Sequence, residues 1–246
     1  MLLASCVAVF GCAGPAGTSQ TASALRVAVF GASGRIGSHI TREALDRGYI
    51  VTGVSRDRAR LEGKFENITI VEADILDRDA LKAVAQAHDV LLVSIGGKPS
   101  SQEPAEYIAY RAARSLIEVL GSLGADGPRM IFVGNLFTLE YENGKTLLDL
   151  GRVAPTHENY AMFYGHQLAL DAFRASEGVN WTIASPPNGL RLKGRTGKVR
   201  WGGDELIRDA DGKPGTISPE DFAFAVLEEL EANRYPRQRF NVARQN

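Results

Sequence analysis

Cysteine is almost absent from this chain of 246 residues: Cys6 and Cys12 are the only two. Everything after Cys12 therefore has no disulfide framework and no thiolate metal site. Histidine is also scarce, and His39, His88 and His166 are too scattered for metal-ligand spacing, so no metal is expected. A long run of one charge is missing as well. With a formal net charge of -1 there is no electrostatic case for nucleic acid or an anionic membrane surface, and small ligands become the expected partners. Nor is there an apolar run long enough to span a bilayer, and no tandem repeat.

Charge is missing altogether before Arg26, and residues 2–10 are apolar. This stretch, 1–24, reads as a signal-like or disordered leader. Val9-Phe10-Gly11-Cys12 approximates a lipoprotein cleavage box, which would make Cys12 the lipidated residue and the protein exported or lipid-anchored. A mis-called start before a cytoplasmic chain is the alternative.

What the chain does contain begins at Leu25. An apolar run leads into GASGRIG, with Gly31, Gly34 and Gly37 spaced G-x-x-G-x-x-G, followed by a helical pattern with Ile36, Ile40 and Ala44 on one face. The chemistry needs that order. Gly31 lets the strand turn sharply, Gly34 lets backbone approach a pyrophosphate, and Gly37 lets the helix pack on the sheet, with helix-start N–H groups facing the phosphates. The same glycine spacing occurs in GCAGPAG, at Gly11, Gly14 and Gly17, but a polar, patternless segment follows it. Only the second copy has the context of a nucleotide site.

From there, short runs rich in Val, Ile and Leu alternate with helical patterns, the mark of βα units winding a mainly parallel sheet covered on both faces. Strands are expected at 25–30, 50–54, 68–72, 90–95, 130–133, 181–184 and 240–243, and helices at 37–47, 78–87, 104–123, 158–177 and 219–232. Ser218, Pro219 and Asp221 mark the start of the last helix. One domain, 25–246, is expected, with an inserted loop at about 189–215 that reads equally as a wall of the substrate pocket or as a solvated surface loop.

The residue ending the second strand selects the cofactor, because an acid there binds the ribose hydroxyls of NAD while arginine accepts a 2′-phosphate. Here it is Arg56, with Arg35 and Arg60 able to add charge. NADP(H) is therefore expected over NAD(H), with Asp57 as the counter-argument if the register shifts by one. Asp74 at the end of the third strand suits an adenine amine, or simple capping. Gly96 and Gly97 end the fourth strand where a cofactor would cross.

GASGRIG, VSRDRARL, ADIL, VSIGG, VNWTIASPPNG and SPEDFAFAVLEELE together resemble the atypical short-chain dehydrogenases of the NADH:flavin reductase-like type. These are relatives of biliverdin-IXβ/flavin reductase and of the nitrogen-metabolite-repression regulators. The resemblance covers residues 25–243. It implies a Rossmann-type, doubly wound, three-layer αβα fold of about seven strands. It also implies an NADP-type cofactor on Gly31, Ser33, Gly34, Arg35, Ile36, Gly37, Arg56, Arg60, Asp74, Ile75 and Gly96, with its nicotinamide end near Pro186 and Pro187.

The departures bear on mechanism. Ketone-reducing short-chain dehydrogenases use Tyr-x-x-x-Lys, whereas here Tyr160 is followed at that spacing by Tyr164, and Tyr164 by Leu168. The fifth strand ends in Asn135 rather than a serine. Direct hydride transfer to flavin, quinone or a similar planar acceptor is less demanding of a positioned acid, and flavin is therefore an expected substrate. Tyr160, His157 and Asn135 are the candidate catalytic groups, and Phe137, Tyr164 and Trp201 the remaining candidates for the acceptor wall. A non-catalytic NADP(H)-binding sensor or scaffold is the alternative, and a nucleotide-sugar epimerase or dehydratase a weaker one.

Overall fold

In β1 (Arg26–Phe30) successive side chains leave opposite faces of the sheet. Val27 and Val29 enter one apolar layer, with Ile40, Ala44, Phe222 and Leu227, while Ala28 and Phe30 enter the other, with Leu81, Val84, Leu116 and Phe173. The computed structural model describes residues 24–187 and 190–245. The leader and Cys12 lie outside the described residues.

The alternating pattern builds a sheet of eight strands in the order β3-β2-β1-β4-β5-β8-β10-β9. Beyond β1 these are β2 (Ile50–Ser55), β3 (Thr69–Glu72), β4 (Val90–Val93), β5 (Arg129–Val133), β8 (Trp181–Ser185), β9 (Val199–Gly202) and β10 (Gln238–Arg244). All neighbours pair in parallel except β9, which runs antiparallel to β10. Helices α1 (Gly37–Asp46) and α5 (Pro219–Ala232) cover one face; α2 (Arg78–Ala87), α3 (Ile108–Leu123) and α4 (Tyr160–Ala175) cover the other. This is the three-layer, doubly wound Rossmann-type arrangement, in one α/β domain. Strand order reverses between β2 and β4 around β1, so the carboxyl ends of these strands form the crevice where such sheets take ligands.

Four details differ from the sequence expectation. The sheet has an eighth strand, because part of the inserted loop becomes β9 and covers the edge of β10. A small hairpin, β6 (Glu140–Glu142) and β7 (Lys145–Thr146), precedes α4. Its turn residues Asn143 and Gly144 both have positive φ, at 49° and 72°. Third, the helix expected from residue 104 is interrupted: a single turn, Pro104–Glu106, ends at Tyr107, whose extended backbone (φ −68°, ψ 138°) separates it from α3. Last, β4 stops at Val93, two residues early, leaving Ser94 and Ile95 to shape the crevice.

Asp221 fastens the insertion. The Ser218 hydroxyl accepts from the Asp221 amide at 3.0 Å, as the capping pattern predicts. The Asp221 carboxylate itself turns away to accept from the amides of Thr196 at 2.6 Å and Gly197 at 2.9 Å, and from Arg244 at 2.9 Å. Burial alone would raise its pKa, but the Thr196 and Gly197 amides and the Arg244 guanidinium outweigh it and hold the carboxyl below the usual range. Because the folded value is lowered, this stabilisation is full above the ordinary aspartate pKa of about 3.9 and is lost as pH falls through the folded value. Asp221→Ala leaves Arg244 without its buried partner and is expected to cost about 3–5 kcal/mol in urea unfolding at neutral pH. The gap between variant and parent should shrink in acid; a variant as stable as the parent at pH 7 would contradict this account.

Candidate functional site

The glycine turn is built by backbone contacts that admit no side chain. Gly31 has φ +77°, and a Cβ there would lie 2.1 Å from the Ser94 carbonyl oxygen at the end of β4. A Cβ on Gly37 would lie 2.1 Å from the Gly31 carbonyl oxygen, so the first residue of α1 rests directly on the turn. Lys64 reaches from the segment after β2 to donate to the Ser33 carbonyl at 2.8 Å. The residue before α1, Ile36, has no capping side chain. Among the described residues the amides of Ser33, Arg35, Ile36 and Gly37 donate to no protein acceptor. Unpaired helix-start N–H groups in a glycine-shaped cradle are the donor set that a pyrophosphate requires, so these residues fit a dinucleotide.

Two grooves meet at this turn and share Gly34, Ser94, Ile95 and Gly96 as a common wall. The first is lined by Gly31, Ser33, Arg56, Arg60, Asp74 and Ile75. It therefore unites eight of the residues expected from sequence, Gly34 and Gly96 included, while Gly37 supports the turn from behind. Asp57 plays a different part: its carboxylate accepts from the Ala59 amide at 3.0 Å and caps the turn Arg58–Arg60, leaving Arg56 and Arg60 as the ionic groups from this segment on the groove. One oxygen of Asp74 accepts from the Leu76 amide at 3.0 Å, and the Ile75 amide has no acceptor among the described residues.

The second groove is lined by Arg35, Ile36, Gly97, Lys98, Tyr107, Val133, Gly134, Glu158, Asn159, Met162 and His166. Tyr107 donates to the Gly97 carbonyl at 3.1 Å and so pins the glycine pair that separates the two grooves. Helix α4 can press against it because position 165 is glycine: a Cβ there would lie 2.6 Å from the Tyr107 Cβ. The neighbouring His166 ring is buried, 5.7 Å from the Tyr107 ring and 6.4 Å from that of Phe132. Burial pushes its pKa down to about 4, so the imidazole is neutral at pH 7.

Two of the candidate catalytic residues, Tyr160 and His157, fall elsewhere. Met162 and His166 form the groove-facing stripe of α4, and Tyr160 lies about 200° around the helix from Met162. Tyr160 packs on Tyr164 at 4.4 Å, in a cluster with Phe137, Leu148 and Phe163. His157 is exposed before the helix, its ring 5.6 Å from Phe163 and its Nδ1 accepting from the Asn159 amide. Phe137 stacks on Phe163 at 3.6 Å. Trp201 lies on β9 between Tyr235 and Phe240, under Arg234. None of these five lines either groove. Asn135 stays close, one residue beyond the groove residue Gly134, and among the described residues both its amide atoms are buried without a partner, as is the Ser185 hydroxyl at the end of β8. Pro186 and Pro187 follow β8 at the same edge of the sheet without lining the grooves, and no described residue of the insertion lines them.

The residues missed from sequence are Tyr107, Met162 and His166. Only the 162/166 spacing of four hints that two of them share a face. Among the described residues no His, Cys, Asp and Glu side chains group to hold a metal, and no helix is long and apolar enough to cross a membrane.

A model of the NAD(P)H-binding family matches residues 31–233. The chain belongs to that family. YwnB of Bacillus subtilis, a protein without an assigned function, is 29% identical over 208 residues, which is 83% of this chain and 92% of YwnB. A Burkholderia pseudomallei structure, provisionally named as an exported protein, is 31% identical with a TM-score of 0.74, over 89% of this chain and 99% of that one. A Streptococcus pneumoniae structure provisionally named as an NADH-flavin reductase shares the fold at 22% identity and a TM-score of 0.74, over 90% of this chain and all of that one.

Gly31→Ala places a methyl group against backbone oxygen at a positive φ. It is expected to lower the thermal midpoint and weaken dinucleotide binding about 5- to 150-fold, since strain of this kind costs roughly 1–3 kcal/mol. Unchanged affinity in a dye-displacement titration would contradict the contact.

Proposed function

We propose that the chain is an NADPH-dependent reductase of a small planar acceptor such as a flavin or quinone. The observation that carries this reading is the pairing of the two grooves across Gly34 and Gly96: one ends in Arg56, Arg60 and Asp74, the other in an apolar bay of Ile36, Val133, Met162 and Tyr107. A reduced nicotinamide, when bound, supplies a hydride. The protein's own part is binding and orientation. Free amides of the glycine turn hold the pyrophosphate, and Asp74 with the Ile75 amide holds the adenine. Arg56 and Arg60 accept the 2′-phosphate through charge-assisted hydrogen bonds. Beside Gly34 and Gly96 the apolar bay offers side chains against which an acceptor ring can lie.

The absence of a Tyr/Lys pair on α4 supports an acceptor that spreads charge over its ring. It also favours the second reading, a sensor that binds NADP(H) without turnover, because the helix face that would carry the acid carries Met162 and His166.

The purified protein is expected to oxidise NADPH when menadione or FMN is added, followed at the nicotinamide absorbance. Replacing Arg56 and Arg60 together by serine is expected to raise the NADPH Kd by about 10- to 100-fold and to change that for NADH little, from hydrogen bonds to charged groups of about 1.5–3 kcal/mol. Tight NADPH binding with no oxidation across a panel of flavins and quinones would favour the sensor. Equal losses for NADPH and NADH would count against the 2′-phosphate assignment.

A further inference from the structure

His166 is an unusual tenant for a buried helix position. The residue is 8% exposed and lines the second groove, between Tyr107 and Phe132. Among the described residues neither ring nitrogen has a hydrogen-bond partner, and Nδ1 is fully buried. Leaving a polar ring unpaired in the core costs free energy that an apolar side chain would avoid. The position is also held in place rather than merely tolerated: Gly165 admits the close approach of α4 to Tyr107, and the Tyr107 hydroxyl is anchored on Gly97.

The tautomer follows from the burial. A proton on Nδ1 would be a buried donor with nothing to receive it, and orphaned donors are rarer in proteins than under-satisfied acceptors. The proton therefore belongs on Nε2, the nitrogen left to face the groove. We infer that His166 is the acceptor-binding group of the second groove: its Nε2–H donates a hydrogen bond to a ring carbonyl oxygen of a planar ligand lying against Met162, Val133 and Tyr107. The ligand class is thus narrowed to flat rings with an exposed carbonyl, such as the isoalloxazine of a flavin or a naphthoquinone. This rests on the reductase reading for the identity of the groove but concerns binding, not turnover.

The test uses the full chain saturated with NADP+, so that no reduction takes place, and riboflavin as the probe, titrated by its fluorescence quenching. His166→Leu, which keeps the bulk and removes the donor, is expected to raise the riboflavin Kd about three- to tenfold, the range for loss of one neutral hydrogen bond. His166→Gln, whose amide can replace the Nε2–H, is expected to recover most of that loss. NADP+ affinity should follow neither change, and the thermal midpoint of the leucine variant should equal or exceed that of wild type, since the unpaired ring is gone. Nitrogen-15 shifts of the imidazole are expected to report the Nε2–H tautomer at pH 7. An Nδ1–H tautomer overturns the proposal. So does riboflavin affinity that is equal in wild type and the leucine variant, or wild type that binds no riboflavin. A wild type that reduces menadione while His166→Leu binds riboflavin unchanged sinks the proposal alone. A wild type that binds riboflavin through His166 but reduces nothing sinks the reductase reading alone.

Discussion

The site depends on one backbone contact, the approach of Gly31 to the Ser94 carbonyl where β1 and β4 end side by side. The space left between them excludes even a methyl group. From that contact the rest follows: Gly31 turns with positive φ, its own carbonyl receives Gly37, and α1 starts without a side-chain cap. The first amides of a helix always lack partners within it, and at the switch point of a doubly wound sheet they make a place for an anion.

The two ends of the crevice are tuned by different physics. Around Arg56, Arg60 and Asp74 the side chains are exposed or half-exposed, so their charges act in reach of solvent, where they are screened. Around Met162, Val133, Tyr107 and His166 the walls are buried or half-buried, and there an unpaired polar atom counts for more than it would among the exposed groups of the first groove. Gly165 links this end to the first, since it lets α4 reach Tyr107 and, through the tyrosine hydroxyl, Gly97 on the wall beside Gly96.

The central strands were legible because residues covered on both faces must be apolar throughout, as in VAVF of β1 and VLLV of β4. The glycine turn was legible because only glycine satisfies its contacts, and Arg56 because its place at the end of β2 is fixed by the strand. β9 escaped notice since its sequence, VRWG, is short and its residues half-buried, and its pairing is decided by Asp221 gripping Thr196 and Gly197 from α5. Tyr160 and Tyr164 do share one side of α4, as their spacing predicts, while His157 lies before the helix against Phe163; periodicity says which residues share a face and not which neighbour that face meets. Here it meets the loop that carries Phe137 and Leu148, and the opposite stripe takes the groove. Tyr107 was hidden by the same limit: nothing local marks the break that detaches it from α3.

The central claim is that the unpaired amides of the glycine turn hold the phosphates of a dinucleotide. Hydrogen–deuterium exchange of the full chain with and without NADP+ tests it at those atoms. The account predicts slowed exchange over residues 33–37 together with Ile75, and little change across the Phe137, Tyr160 and Phe163 cluster. Saturating NADP+ that leaves residues 33–37 unprotected, or that protects that cluster instead, would contradict it.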